Sequence, residues 1–206
     1  AGNCIVDDEA AVKITQEIIR RYYKSCAALL TGTGTEEEIR KIELLLKQAH
    51  ASLEDRKVVP ASLQKEKETE GPAAALELPD GRMIFGKTSE LLGASSALLL
   101  NALKELAGIP HENHVISPEA NDDSGIKDAV SQEAKTHVFI LTDTDRTFRQ
   151  RSNNPEARKA LEQLPSLRGC QAHTSVMLSS VDIWEFRKLG IELTCEPKFE
   201  KEKIYH

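Results

Sequence analysis

Three features of the sequence predict an α/β fold. Segments of helical periodicity alternate with short apolar runs, a Pro79-Asp80-Gly81 turn separates two such runs, and a helix apolar around most of its circumference follows. With 206 residues, 40% of them hydrophobic, the chain can bury one large core or two small ones.

The first element carries Ala11, Ile14, Ile18, Tyr22, Cys26 and Leu29 or Leu30 at three- and four-residue intervals, with Asp7 and Asp8 at its head and Gly32 past its end. Thr35 followed by Glu36, Glu37 and Glu38 is a capping-box start, and Ile39, Ile42, Leu45, Leu46 and Ala49 form one stripe of a second helix. Residues 1–55 are therefore expected to form a helical hairpin, with a boundary near residue 55 and an α/β portion over 56–206. Lys57-Val58-Val59-Pro60 reads as a short strand, and the charged run Ser62 to Glu70 as a solvated helix or linker. Ala73–Leu78 and Arg82–Gly86 flank the turn as a β-hairpin, and Ser89–Ala107 is the apolar helix, ended by Gly108. Further strands are expected at His114–Ser117, Thr174–Ser179 and Ile191–Cys195, and helices at Glu156–Leu164 and Asp182–Leu189. Asn121 to Arg151 mixes a strand-like run, Thr136–Leu141, with an almost wholly polar one and has no single reading.

Charge and composition narrow the function classes. A net charge of −6 gives no general attraction to phosphate backbones or anionic lipid, and nine aromatic residues leave little for base stacking. No nucleic-acid or membrane partner is expected. No apolar run reaches the roughly 18 to 20 residues of a membrane span. Cys4, Cys26, Cys170 and Cys195 are widely spaced, as in reduced cytoplasmic proteins. The chain begins at Ala1, so it reads as trimmed or as part of something longer.

Several motifs carry candidate chemistry. Gly81-Arg-Met-Ile-Phe-Gly-Lys-Thr88 fits the phosphate-loop spacing, with Val138–Asp143 as the accompanying strand and acid. Met83, Ile84 and Phe85 favour a pleated strand, however, which makes a nucleoside triphosphatase the weakest reading. Lys87, Thr88 and Ser89 at the opening of the buried helix form a candidate anion cradle; alternatively Thr88 or Ser89 is only a cap. Cys170 and His173 are a candidate nucleophile and base, a pairing that needs a bend because strand positions three apart face opposite ways. Glu119 in Ser117-Pro-Glu119, at a strand end, is a candidate acid or base. His111 and His114 read as solvated. The zinc deaminase signature, HxE with PCxxC, is absent: no Glu follows His173 by two, and Cys195-Glu-Pro reverses the expected order. No metal site is expected, and no cofactor is indicated.

The run Leu78–Ile109 resembles the bacterial domain-of-unknown-function family 1846, as do Ile116-Ser-Pro-Glu119, Ala160–His173 and Phe186–Lys198. Ile19–Tyr23 and Asp55–Pro60 are similar as well. The resemblance implies a C-terminal fragment of a longer chain, with the missing N-terminal portion as its first partner. It also implies a three-layer α/β subdomain whose topology is like that of cytidine deaminases. Thr142–Arg151 departs from the family pattern.

Two function readings remain. One is a cytosolic enzyme subdomain that binds a phosphate- or carboxylate-bearing small molecule through Lys87, Thr88 and Ser89, with Cys170 and His173 as the nearest reactive groups. The other is a non-catalytic module that completes a larger subunit or a homo-oligomer.

Overall fold

The computed structural model describes residues 8–89, 92–113 and 155–200, over which the chain is mixed helix and sheet. The expectations for Glu119, the strand His114–Ser117 and the stretch Asn121–Arg151 lie outside the described residues.

Helix α1 (Asp8–Leu30) starts with Asp8 and Glu9, which complement its positive end, and buries Gln16, Ile19, Tyr23 and Cys26 at three- and four-residue steps. Helix α2 (Glu36–Gln48) opens with the expected capping box: Thr35 Oγ1 accepts from the Glu38 amide at 3.3 Å, and Glu38 Oε2 accepts from the Thr35 amide at 3.4 Å. It lies against α1 and buries only Leu46.

The short strand expected at Lys57–Pro60 does not form. Helix α3 (Val58–Thr69) begins there instead. Pro60 falls in its first turn, where an amide hydrogen has no intrahelical acceptor and its loss costs nothing. Burial of Val58 and Val59 outweighs their strand preference.

The hairpin forms as expected from β1 (Ala73–Glu77) and β2 (Met83–Lys87), in antiparallel register with Ala75 opposite Phe85. Gly81 supplies the turn at φ +83°. The buried helix α4 (Ala94–Ala107) starts five residues later than the periodicity predicts. Thr88 instead extends the strand by donating its amide to the Pro72 carbonyl at 3.0 Å, and the Ser89 amide donates to the Leu92 carbonyl at 2.8 Å. Then come α5 (Pro155–Leu161), β3 (Gln171–Thr174), α6 (Ser180–Lys188) and β4 (Glu192–Cys195). The third strand thus precedes the expected Thr174–Ser179.

Among the described residues the sheet order is β2-β1-β3-β4, with β1 antiparallel to both neighbours and β3 parallel to β4 across α6. Helices cover both faces, which explains why Ala73 to Leu76 are all fully buried and why β1 does not alternate polar with apolar. Ala74, Leu76 and Ala172 point into a core with Leu98, Leu99, Leu103 and Phe186, on the side of α4, α5 and α6. The other face lies under α1 and α3, where Ile19, Tyr23, Leu46 and Val59 form a second, smaller cluster.

The phosphate-loop reading ends here. Residues 83–87 are a paired strand, and a Cβ on Gly86 would lie 2.2 Å from the Ala94 carbonyl oxygen and 2.3 Å from the Leu98 nitrogen. Gly86 therefore lets α4 press onto β2; it does not open a loop around phosphates. Among the described residues, no helix is long and apolar enough to cross a membrane.

Candidate functional site

Among the described residues, the most concentrated polar chemistry lies between the sheet and the α1–α3 layer. Side chains alternate along β3 and β4, so Gln171, His173, Glu192 and Thr194 share this face, and parallel register sets His173 beside Thr194. Arg56 enters just before α3 and is fully buried there. Its Nε donates to Thr194 Oγ1 at 3.2 Å, and its Nη1 to Gln16 Oε1 at 3.2 Å and Gln171 Oε1 at 3.1 Å. Its Nη2 donates to the Ala172 carbonyl at 3.4 Å and also to the Glu192 carbonyl. One guanidinium thus ties α1, β3 and β4 together. Burial pushes its pKa down to about 10, which leaves it protonated at neutral pH.

His173, also fully buried, continues the network: Nδ1 lies 2.8 Å from Thr194 Oγ1 and Nε2 3.2 Å from Glu196 Oε1. Tyr23 donates to the same Glu196 oxygen at 3.2 Å, and its ring meets the imidazole edge-on at 4.9 Å between centroids. Burial holds the His173 pKa below the usual imidazole value, although Glu196 opposes that shift. A neutral ring with its proton on Nε2 satisfies every group: Arg56 donates to Thr194, Thr194 to Nδ1, and Nε2 to Glu196. Burial works to raise the Glu196 carboxyl, but hydrogen bonds from His173 and Tyr23 bring it below the ordinary carboxylate value. A carboxylate, an imidazole and a hydroxyl in sequence make a proton relay, but it is closed: His173 is 0% and Thr194 4% exposed. What the arrangement does in this state is lock α1 to the sheet.

Sequence reasoning pointed to His173 but missed Arg56, Gln16, Thr194, Glu196 and Tyr23. No local pattern marks an arginine whose acceptors come from three distant segments. The structure does not bring Cys170 and His173 together, in keeping with the strand alternation. Cys170 belongs to the apolar cluster on the α4 side, with its thiol 3.8 Å from the Ser166 carbonyl, whereas His173 faces α1. Burial raises the Cys170 pKa, the opposite of what a thiolate nucleophile needs. Lys87, Thr88 and Ser89 do not open α4, because its N-cap is Gly93. Lys87 ends β2 with its side chain exposed. Among the described residues, no group of three or more His, Cys, Asp or Glu is placed to hold a metal ion.

A second feature lies on the helical layer. A groove of about 330 Å³ runs beside α1 and α2, lined by Tyr22, Glu43, Leu46, Lys47 and residues 51–53.

Comparison with known proteins places these observations. Residues 54–140 and 149–205 match the family described as domain of unknown function DUF1846, C-terminal. The break in the match, residues 141–148, overlaps Thr142–Arg151. A UPF0371 protein of Corynebacterium glutamicum is 40% identical over 209 residues, covering 99% of this chain and 42% of the relative. A UPF0371 protein of Corynebacterium diphtheriae is 42% identical over 213 residues, and one of Streptococcus uberis 39% identical over 212; each is again covered to 42% of its length. The chain therefore spans less than half the length of the curated relatives it matches.

Proposed function

The chain belongs to the DUF1846 family, and from that premise we propose that it acts as a non-catalytic module that completes a larger protein. One observation carries this reading: among the described residues, the groups with chemical potential are spent on structure. Arg56, His173 and Glu196 bind α1 to the sheet, and Cys170 lies on the far side in an apolar core. The enzyme reading, with an anion held by Lys87, Thr88 and Ser89, loses the helix start that was to supply its amides.

The finer points of this reading are proposals as well. The division into a hairpin over 1–55 and an α/β portion over 56–206 draws support from a family match that begins at residue 54. A topology like that of cytidine deaminases draws support from a hairpin that feeds a helix and then a parallel pair. Without the zinc signature, that likeness implies no deamination. A cytoplasmic location and a homo-oligomeric state remain part of the proposal.

The test is a thermal-shift screen of this chain and of the full-length C. glutamicum relative against phosphorylated metabolites, nucleotides and divalent metals. It is repeated on this chain with Lys87→Ala and Cys170→Ser. A module gives no stabilisation by any compound. A shift that disappears in Lys87→Ala would instead establish a ligand at residues 87–89, since binding to the native state raises stability by mass action.

A further inference from the structure

Helix α2 is well formed but barely covered. Its start is capped and Arg40 and Lys41 pair with Glu36 and Glu37 along its surface, yet Leu46 is its only buried residue, and Leu44 and Leu45 are 56% and 45% exposed. On α1, Val12 and Ile14 are exposed as well, and Val12 continues the same helical stripe as the buried Ile19 and Tyr23. An amphipathic helix pair that leaves this much apolar surface uncovered marks an interaction face.

Two observations identify what covers it. The relatives align over 99% of this chain, but the C-terminal family match begins only at residue 54. The α1–α2 hairpin thus belongs to the part of the family's polypeptide that adjoins the C-terminal unit, and more than half of each relative's length lies outside the alignment.

We propose that the exposed α1–α2 surface, with Leu44 and Leu45 at its centre and the groove beside Tyr22 along one flank, docks the portion of the family's polypeptide outside these 206 residues. That portion presents an apolar patch, as a covalently linked domain with a permanent interface does. The inference rests on the module reading and names its partner.

Hydrogen exchange tests it. The 206-residue chain is compared with a longer chain in which the remainder of the C. glutamicum relative is joined to its N-terminus. Docking predicts at least about tenfold slower exchange of the α1–α2 amides in the longer chain, with α4 amides unchanged. Leu44→Glu with Leu45→Glu, both at exposed positions, should restore fast exchange in α1–α2 of the longer chain, while protected α4 amides report that it still folds. Equal exchange in the two chains would overturn the proposal. So would concentration-dependent protection of the 206-residue chain accompanied by a dimer mass in light scattering, which assigns the surface to a second copy. Neither outcome depends on the ligand screen, so this proposal and the module reading can fail separately.

Discussion

Replacing Arg56 with alanine tests the central claim about the polar layer, because opposing effects must be weighed to predict its outcome. Burial lowers the Arg56 pKa from its ordinary value to about 10. At about 1.4 kcal/mol per unit, the charged form costs on the order of 3 kcal/mol relative to the unfolded chain. Against this stand five donated hydrogen bonds, to Thr194, Gln16, Gln171 and the Ala172 and Glu192 carbonyls. Bonds from a charged donor contribute about 1.5 to 3 kcal/mol each, so the network outweighs the burial cost. Without the guanidinium, Gln16 Oε1, Gln171 Oε1 and the Ala172 and Glu192 carbonyl oxygens each lose a charged donor. The expected net loss is about 3 to 5 kcal/mol, the range for breaking one side of a buried charged network. Urea unfolding followed by far-UV circular dichroism measures it, with Arg56→Lys as the companion. Lysine keeps the charge but not the planar fork, so it should recover less than half of the loss. A loss below about 1 kcal/mol for Arg56→Ala would refute the argument that this arginine holds the layers together.

Other outcomes follow from the same geometry. Gly86→Ala should cost about 3 kcal/mol or more, read as a lowered Tm, because the new Cβ meets backbone of α4 and not a movable side chain; unchanged stability would remove the packing role assigned to this glycine. His173 and Glu196 both titrate below their ordinary values of 6.5 and 4.5. The unfolded chain therefore takes up protons first as pH falls, so Tm should be flat above about pH 6.5, decline below it as His173 is titrated, and decline again below about 4.5. His173→Gln should flatten the upper limb, and an unaltered profile would contradict the neutral-imidazole assignment. Cys26, Cys170 and Cys195 are buried with raised pKa values, so a thiol reagent such as Ellman's should label them no faster than the chain opens; rapid stoichiometric labelling of Cys170 would revive it as a nucleophile.

Features encoded within a few residues were legible in the sequence. Thr35 and Glu38 define a helix start, Pro79-Asp80-Gly81 a turn, and Gly108 a helix end with φ +63°; each conformation is dictated by its own side chains. Features decided by packing were not. Val58-Val59-Pro60 has strand propensity but sits in a helix, because burial against β1 and a harmless proline position outweigh a preference worth less than about 1 kcal/mol. The start of α4 differs from the expectation because the apolar run continues upstream of Gly93, and periodicity alone does not show that Ser89 is hydrogen-bonded to Leu92. Arg56 was out of reach for a stronger reason: its role depends on acceptors from α1, β3 and β4 that only the assembled sheet brings within about 3 Å.

The alternation that separates Cys170 from His173 also makes the two sides of the sheet chemically different. The α4 side is packed by apolar contacts, whose strength hardly varies with pH. The α1 side is held through Arg56, His173, Glu196 and Tyr23, whose bonds depend on protonation and whose removal leaves buried polar atoms unpaired. Acid should therefore loosen α1 before it loosens α4. Because α2 packs chiefly on α1 among the described residues, the surface proposed to dock the rest of the polypeptide rides on the titratable layer. Hydrogen exchange at pH 5 should then show α1 and α2 opening together while α4 remains protected, and simultaneous opening of all three would mean that the two layers unfold as one unit.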